Sequence, residues 1–179
     1  MTHIFPCGTL TLDFVGTLQA RRALLPTERI RTPASLDAWL VESGLLDDRP
    51  RSVAADLLAA RELREAIYAL VGARLLHRPL SAEEVTTVNR WAAGEPIVLY
   101  LGPGGISRCG TVRQALTELA REAIEIVSGS EADLLRECGH PDCTQVYLDR
   151  SRGRRREWCA MRTCGNRVKA AALRARRRG

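Results

Sequence analysis

Four cysteines near one end of the chain stand in two identical pairs. Cys138 and Cys143 form one C-x4-C, Cys159 and Cys164 form a second, and fifteen residues separate the pairs. A short loop between two thiolates lets both reach one small ion. Two such loops complete a closed tetrahedral four-thiolate zinc site, with Zn–S near ~2.3 Å. The segment between the pairs is long enough for a hairpin. Two disulfides are the competing reading, but nothing in the sequence suggests export, and cytosolic thiols stay reduced. A redox dithiol more usually reads C-x-x-C beside a βαβ pattern. A catalytic zinc keeps an open position and uses His or carboxylate ligands. His140 lies inside the first loop, but four thiolates already fill the tetrahedron, so it reads as a loop residue. Cys7 and Cys109 lack partners at loop spacing and read as free thiols.

Charge is concentrated around the same cysteines. From Arg150 to the end there are twelve cations and one anion, Glu157, a local charge of +11. The whole chain carries +6, so residues 1–149 carry −5. Lys169 is the sole lysine, so the clustering of arginines rather than their number is the informative feature. Arginine offers phosphate oxygens a planar fork of donors, and charge segregation of this kind favours a nucleic-acid face over a solvated tail. Arg152, Arg154, Arg155 and Arg156 fall at a turn, while Arg167, Lys169 and Arg174 fall on a C-terminal helix. These seven are the candidate nucleic-acid contacts. Arg167, Arg174 and Arg178 share one helix face.

The segment W-C-A-M-R-T-C-G-N-R-V-K resembles the signature of the CGNR zinc finger, named for Cys164-Gly165-Asn166-Arg167. In that family the finger follows a domain called ABATE, in proteins described as bacterial stress-induced transcription regulators. Gly8 to Leu18, Arg31 to Leu40, Ala60 to Ile67 and Val88 to Trp91 resemble ABATE landmarks, so the resemblance covers nearly the whole chain. It implies an ABATE-like domain over residues 1–130, for ligand sensing or assembly, and a finger over residues 131–179. One departure stands out: the family usually has Asn where this chain has Gly16, in an L-D-x-x-N-T pattern.

The local pattern implies a mainly helical N-terminal domain with a small hairpin, an α+β fold. Residues 3–18 leave a short strand and an extended entry into a helix both open. Asp13, a lone carboxylate in that apolar run, is the candidate ligand-binding residue, with a cap or structural role as the competing reading. Arg21 to Arg31 reads as loop. Thr32-Pro33 starts a helix that Gly44 ends. A longer helix starts near Pro50 and Ser52 and runs to about His77, and Ser81 to Glu84 is a capping box for a third. Pro96 to Leu101 and Ile106 to Cys109 flank Gly102-Pro103-Gly104-Gly105 as a hairpin, and a helix runs from Thr111 to Gly129.

In the finger, Asp133 to Glu137 reads as strand or short helix. Val146 to Leu148 reads as a strand with Arg155 to Trp158 as its second arm. A helix then carries the last ligand in its first turn, giving a treble-clef-like unit. Val168, Ala171, Ala172 and Ala175 form an apolar stripe by which that helix is expected to sit on its own domain.

No catalytic constellation is present: no supported Ser/His/Asp set, no H-E-x-x-H and no Walker loop, so the chain reads as a non-enzyme. No apolar run approaches the ~20 residues of a membrane span. The start M-T-H-I-F-P-C lacks the features of a signal peptide, so a cytoplasmic location is expected. The leading reading is a zinc-containing transcription regulator that binds DNA through its finger, with a small-molecule ligand and a homodimer among its expected partners. An adaptor for the transcription machinery and an RNA-binding module are the alternatives.

Overall fold

The structure is a computed structural model and describes residues 3–176. Its body is built on α1 (Leu10–Val15), α2 (Pro33–Glu42), α3 (Ala54–Leu75), α4 (Ala82–Ala92) and α5 (Val112–Ser128). Apolar residues at helical spacing turn Leu63, Ile67 and Leu70 of α3 toward Leu116, Leu119 and Ala123 of α5, all of them buried. Trp39 of α2 closes one end of this core against Phe14 of α1, with ring centroids 5.3 Å apart.

Local signals set the helix ends. Thr32 and Ser35 form a reciprocal capping box, with Pro33 in the first turn. Thr111 and Gln114 do the same for α5. Gly44, at φ +74°, turns the chain out of α2. α3 begins at Ala54, later than Pro50 and Ser52 imply, because Asp56 reaches back to the backbone N–H of Val53. Ser81 precedes α4 as expected, but its side chain makes no capping bond.

The first residues resolve into helix α1, capped by the Thr9 hydroxyl, followed by β1 (Leu18–Gln19). β1 pairs antiparallel with β2 (Thr27–Glu28), so the expected loop from Arg21 contains a short strand. β3 (Val98–Gly102) and β4 (Gly105–Cys109) form the expected hairpin, with Leu99 opposite Arg108 and Leu101 opposite Ile106.

A single 3-10 turn (Ala132–Leu134) leads into β5 (Leu135–Glu137), which pairs with β6 (Val146–Leu148). Cys138 and Cys143 therefore sit in the loop of this hairpin. Arg155 to Trp158 is not its second arm. That segment is held by single bonds, Gly139 N–H to the Glu157 carbonyl and Arg156 N–H to an Asp149 oxygen, and so forms no ladder. One π-helical turn, Met161–Gly165, then leads into α6 (Asn166–Arg176). The class is the one expected: α+β, mainly helical, with a treble-clef-like four-cysteine unit.

The finger shares the core of the body. Val146, Tyr147 and Leu148 are buried together with Leu135. The Leu148 N–H donates to the Cys7 carbonyl at 3.0 Å, which ties β6 to the segment before α1.

Candidate metal centre and the surfaces around it

The β5–β6 loop supplies Cys138 and Cys143; the π turn and the segment before it supply Cys164 and Cys159. Their four Sγ atoms lie within 4.8 Å of one another. Cys159 Sγ stands 3.8 Å from Cys143 Sγ and 3.6 Å from Cys164 Sγ. A tetrahedron with Zn–S of ~2.3 Å has an edge of about 3.8 Å, so the set fits zinc. The Cys159 N–H points at Cys138 Sγ at 3.4 Å.

Crowding opposes ionisation at two of the thiols, Cys143 and Cys164. Contact with Cys159 and then burial raise the pKa of Cys143, and burial with the neighbouring Cys143 pushes Cys164 up to about 12. A divalent cation reverses that balance, because a coordinating thiol is deprotonated outright. His140 accepts from the Asp142 N–H at 3.2 Å and stands outside the cluster, as a loop residue. Cys7, by contrast, lies against the finger. Its thiol donates to Gln145 Oε1 at 3.1 Å, yet it is no member of the four-sulfur group.

The candidate cations divide into two sets. Arg152, Arg154, Arg155, Arg167, Lys169 and Arg174 are exposed, with no ion pair among the described residues. Gly153 and Arg154, both with positive φ, form the turn that projects the first three. Arg156 is turned inward. Its guanidinium donates to the carbonyls of Trp158, Pro6 and Cys159 and stacks 4.2 Å from the Tyr147 ring. Its Nε and Nη2 donors brace the metal loop from within the protein. Arg150, in the same basic run, pairs with Glu131. The alanine stripe of α6 does not rest on the body: Ala171, Ala172 and Ala175 are exposed and only Val168 is half-buried. Arg178 lies outside the described residues.

Between body and finger is a cavity of about 350 Å³. Asp13, Arg29 and Trp39 line it from the body, and Cys143, Gln145 and Arg167 from the finger. Asp13 accepts from the Cys7 N–H at 2.9 Å. Burial outweighs that bond and raises its pKa to about 6. Neither Asp13 nor Arg29 makes an ion pair among the described residues. Sequence reasoning singled out Asp13 but missed Arg29 and Gln145, which only the folded chain brings to this seam.

Residues 8–130 match a family described as "ABATE: Putative stress-induced transcription regulator". The chain belongs to the ABATE family. Residues 135–177 match the CGNR zinc finger, which agrees with the four-sulfur geometry. Neither of these is an enzyme family. No curated protein matches the chain. No described helix is long and apolar enough to cross a membrane. In ABATE terms, the departure at Gly16 is answered from the finger: the Gln145 side chain lies over Gly16 and donates to its carbonyl at 2.9 Å.

Proposed function

We propose that the protein is a cytoplasmic, zinc-containing transcription regulator that binds DNA through its finger. One observation carries the reading: six exposed cations with no acidic partner among the described residues are gathered on a unit whose shape one metal centre would fix. The −5 of residues 1–149 repels the duplex and turns the finger toward it. Arg152, Arg154 and Arg155 neutralise phosphates. Arg167, Lys169 and Arg174 line α6, which is free of the body beyond its first turn and of a size the major groove admits.

Residues 1–130 act as the sensing part. Their ligand site is the seam cavity, where Arg29 and Arg167 favour a small anionic molecule and Asp13 accepts its hydrogen bonds. Occupation of that cavity couples the body to the finger, since both supply its walls.

The test is binding to genomic DNA fragments over a salt series. With ~5 phosphates neutralised, log K falls against log salt at a slope of about −4 to −5. Replacing Arg152, Arg154 and Arg155 by Ala weakens binding to every sequence and flattens the slope. If the triple variant keeps the wild-type affinity and slope, the basic turn is a solvated surface and the adaptor reading leads. Tighter binding to structured RNA than to any duplex DNA would favour the RNA-binding reading.

A further inference from the structure

The β3–β4 hairpin carries apolar side chains on both faces. Val98, Leu99, Tyr100, Leu101 and Ile106 are 57, 65, 64, 79 and 57% exposed. Leu99, Leu101 and Ile106 share one face and present on the order of 400 Å² per copy there, in the range of the largest patch on a monomer, while Val98 and Tyr100 stand on the other. A two-stranded hairpin is also marginal by itself, and gains stability when further strands are added.

Its two edges are unlike. On β4, the Arg108 N–H and carbonyl both turn outward to Asp47, at 2.7 and 3.0 Å. Arg108 therefore faces Leu99 as a non-hydrogen-bonded pair, and so does Ile106 face Leu101, two residues along. It follows that the N–H and carbonyl groups of Leu99 and Leu101 point away from β4, along an open edge. They have no hydrogen-bond partner there among the described residues. One edge is covered by the body; the other is exposed and apolar, the arrangement that invites strand pairing.

We infer that β3 is a dimerisation strand that pairs antiparallel with β3 of a second copy, about a two-fold axis through Tyr100. This register engages all four outward groups. Leu99 stands opposite Leu101 of the second copy, and Leu101 opposite its Leu99. Each pair exchanges two hydrogen bonds. A centre at Leu101 would instead set Leu99 against Pro103, which has no N–H to give. The two hairpins become one four-stranded sheet. Leu99, Leu101 and Ile106 of both copies gather on one face, since alternate residues along a strand share a side. The contact is isologous and closes on itself, as a two-fold dimer requires.

The experiment uses the full-length, zinc-loaded protein in light scattering at micromolar concentration. The wild type runs at twice the 19.8 kDa chain mass. Leu101→Pro runs at the single mass, with zinc content and helical circular dichroism unchanged, because the lost N–H faces the open edge and takes no part in β3–β4 pairing. In a Cys109→Ser background, Tyr100→Cys forms a disulfide-linked dimer under mild oxidation, since directly opposed residues of this pair type lie ~4.5 Å apart at Cα, within disulfide reach. Ser107→Cys in the same background stays unlinked. A monomeric wild type, a dimer that survives Leu101→Pro with the hairpin intact, or Tyr100→Cys chains that fail to link would each overturn the inference. If Leu101→Pro lowers zinc content or helicity, the cross-link result decides.

Discussion

The side-chain amide of Gln145 occupies the space that a side chain on Gly16 would need. A Cβ at position 16 would overlap the amide oxygen and lie 2.9 Å from Cδ. The amide is fixed at both ends, by the Cys7 thiol at 3.1 Å and the Gly16 carbonyl at 2.9 Å. The two positions, 129 residues apart in the chain, are thus complementary.

Gly16 has ordinary right-handed φ and ψ, so crowding alone opposes a larger residue there. Gly16→Asn is expected to cost about 1–3 kcal/mol of stability through overpacking. Gln145→Ala leaves its polar partners unsatisfied and costs about 1–2 kcal/mol. The double variant is expected to fall short of the sum by at least ~1 kcal/mol, because removing the amide vacates the space that an asparagine side chain at position 16 would fill. Urea unfolding of the four zinc-loaded proteins measures the coupling, and strict additivity would refute it.

The protein is expected to purify with one zinc ion. Cys143→Ser should lose it, as should serine at Cys138, Cys159 or Cys164. Metal binding by isolated finger peptides is worth on the order of 10–16 kcal/mol apparent, so loss of the ion unfolds the loop of Cys138 to Cys143 and the π turn. Because β6 lies in the shared core, amide exchange should also quicken around Cys7 and α1. Elemental analysis without stoichiometric zinc would contradict the assignment.

Asp13 links stability to pH. Its folded pKa of about 6 lies above the unfolded value near 3.8, so the native state holds the proton more tightly. Its contribution is therefore favourable at acid pH and is lost as pH rises from about 4 to 6, by about 2–3 kcal/mol. Asp13→Asn keeps an acceptor for the Cys7 N–H and carries no charge. The difference in unfolding free energy between variant and wild type should grow in the variant's favour over that window and level off above it. A difference that is flat with pH would show that Asp13 is not desolvated.

Arg64 of α3 is buried, with both terminal nitrogens on Glu28 at 2.8 Å and one also on the Thr17 hydroxyl at 3.0 Å. Burial tends to raise the pKa of Glu28, but the bonds and charge of Arg64 prevail and lower it. Arg64→Met leaves that carboxylate without its main partner and should destabilise by about 3–5 kcal/mol. Arg64→Met combined with Glu28→Met should recover much of this in thermal unfolding. No recovery would mean that Arg64 acts by packing alone.

Signals local in the chain translated well into structure. Thr32-Pro33 and Thr111 carry their caps within three residues, and the glycine-rich turn at 102–105 pins the hairpin register. The two C-x4-C pairs bring their sulfurs together because short loops leave them little choice. Pairings that depend on distant contacts were not legible, although Val146–Leu148 reads as a strand from sequence alone. β5 and β6 find each other across the cysteine loop, and β2 is defined only by β1. Arg156 looks like its exposed neighbours in sequence, and only the carbonyls of Pro6, Trp158 and Cys159 distinguish it. The α6 stripe misled for the converse reason: small apolar residues at the right spacing describe a face but not whether anything lies against it.

The bond from Leu148 to the Cys7 carbonyl bears on how such a finger can be moved between proteins. Fusing residues 131–176 to an unrelated partner would cut β6 from the segment before α1 and leave Val146, Tyr147 and Leu148 facing solvent. A workable transplant would be discontinuous, taking the segment from Cys7 to Val15 along with the finger. As a cassette, the finger begins more than a hundred residues before its first ligand.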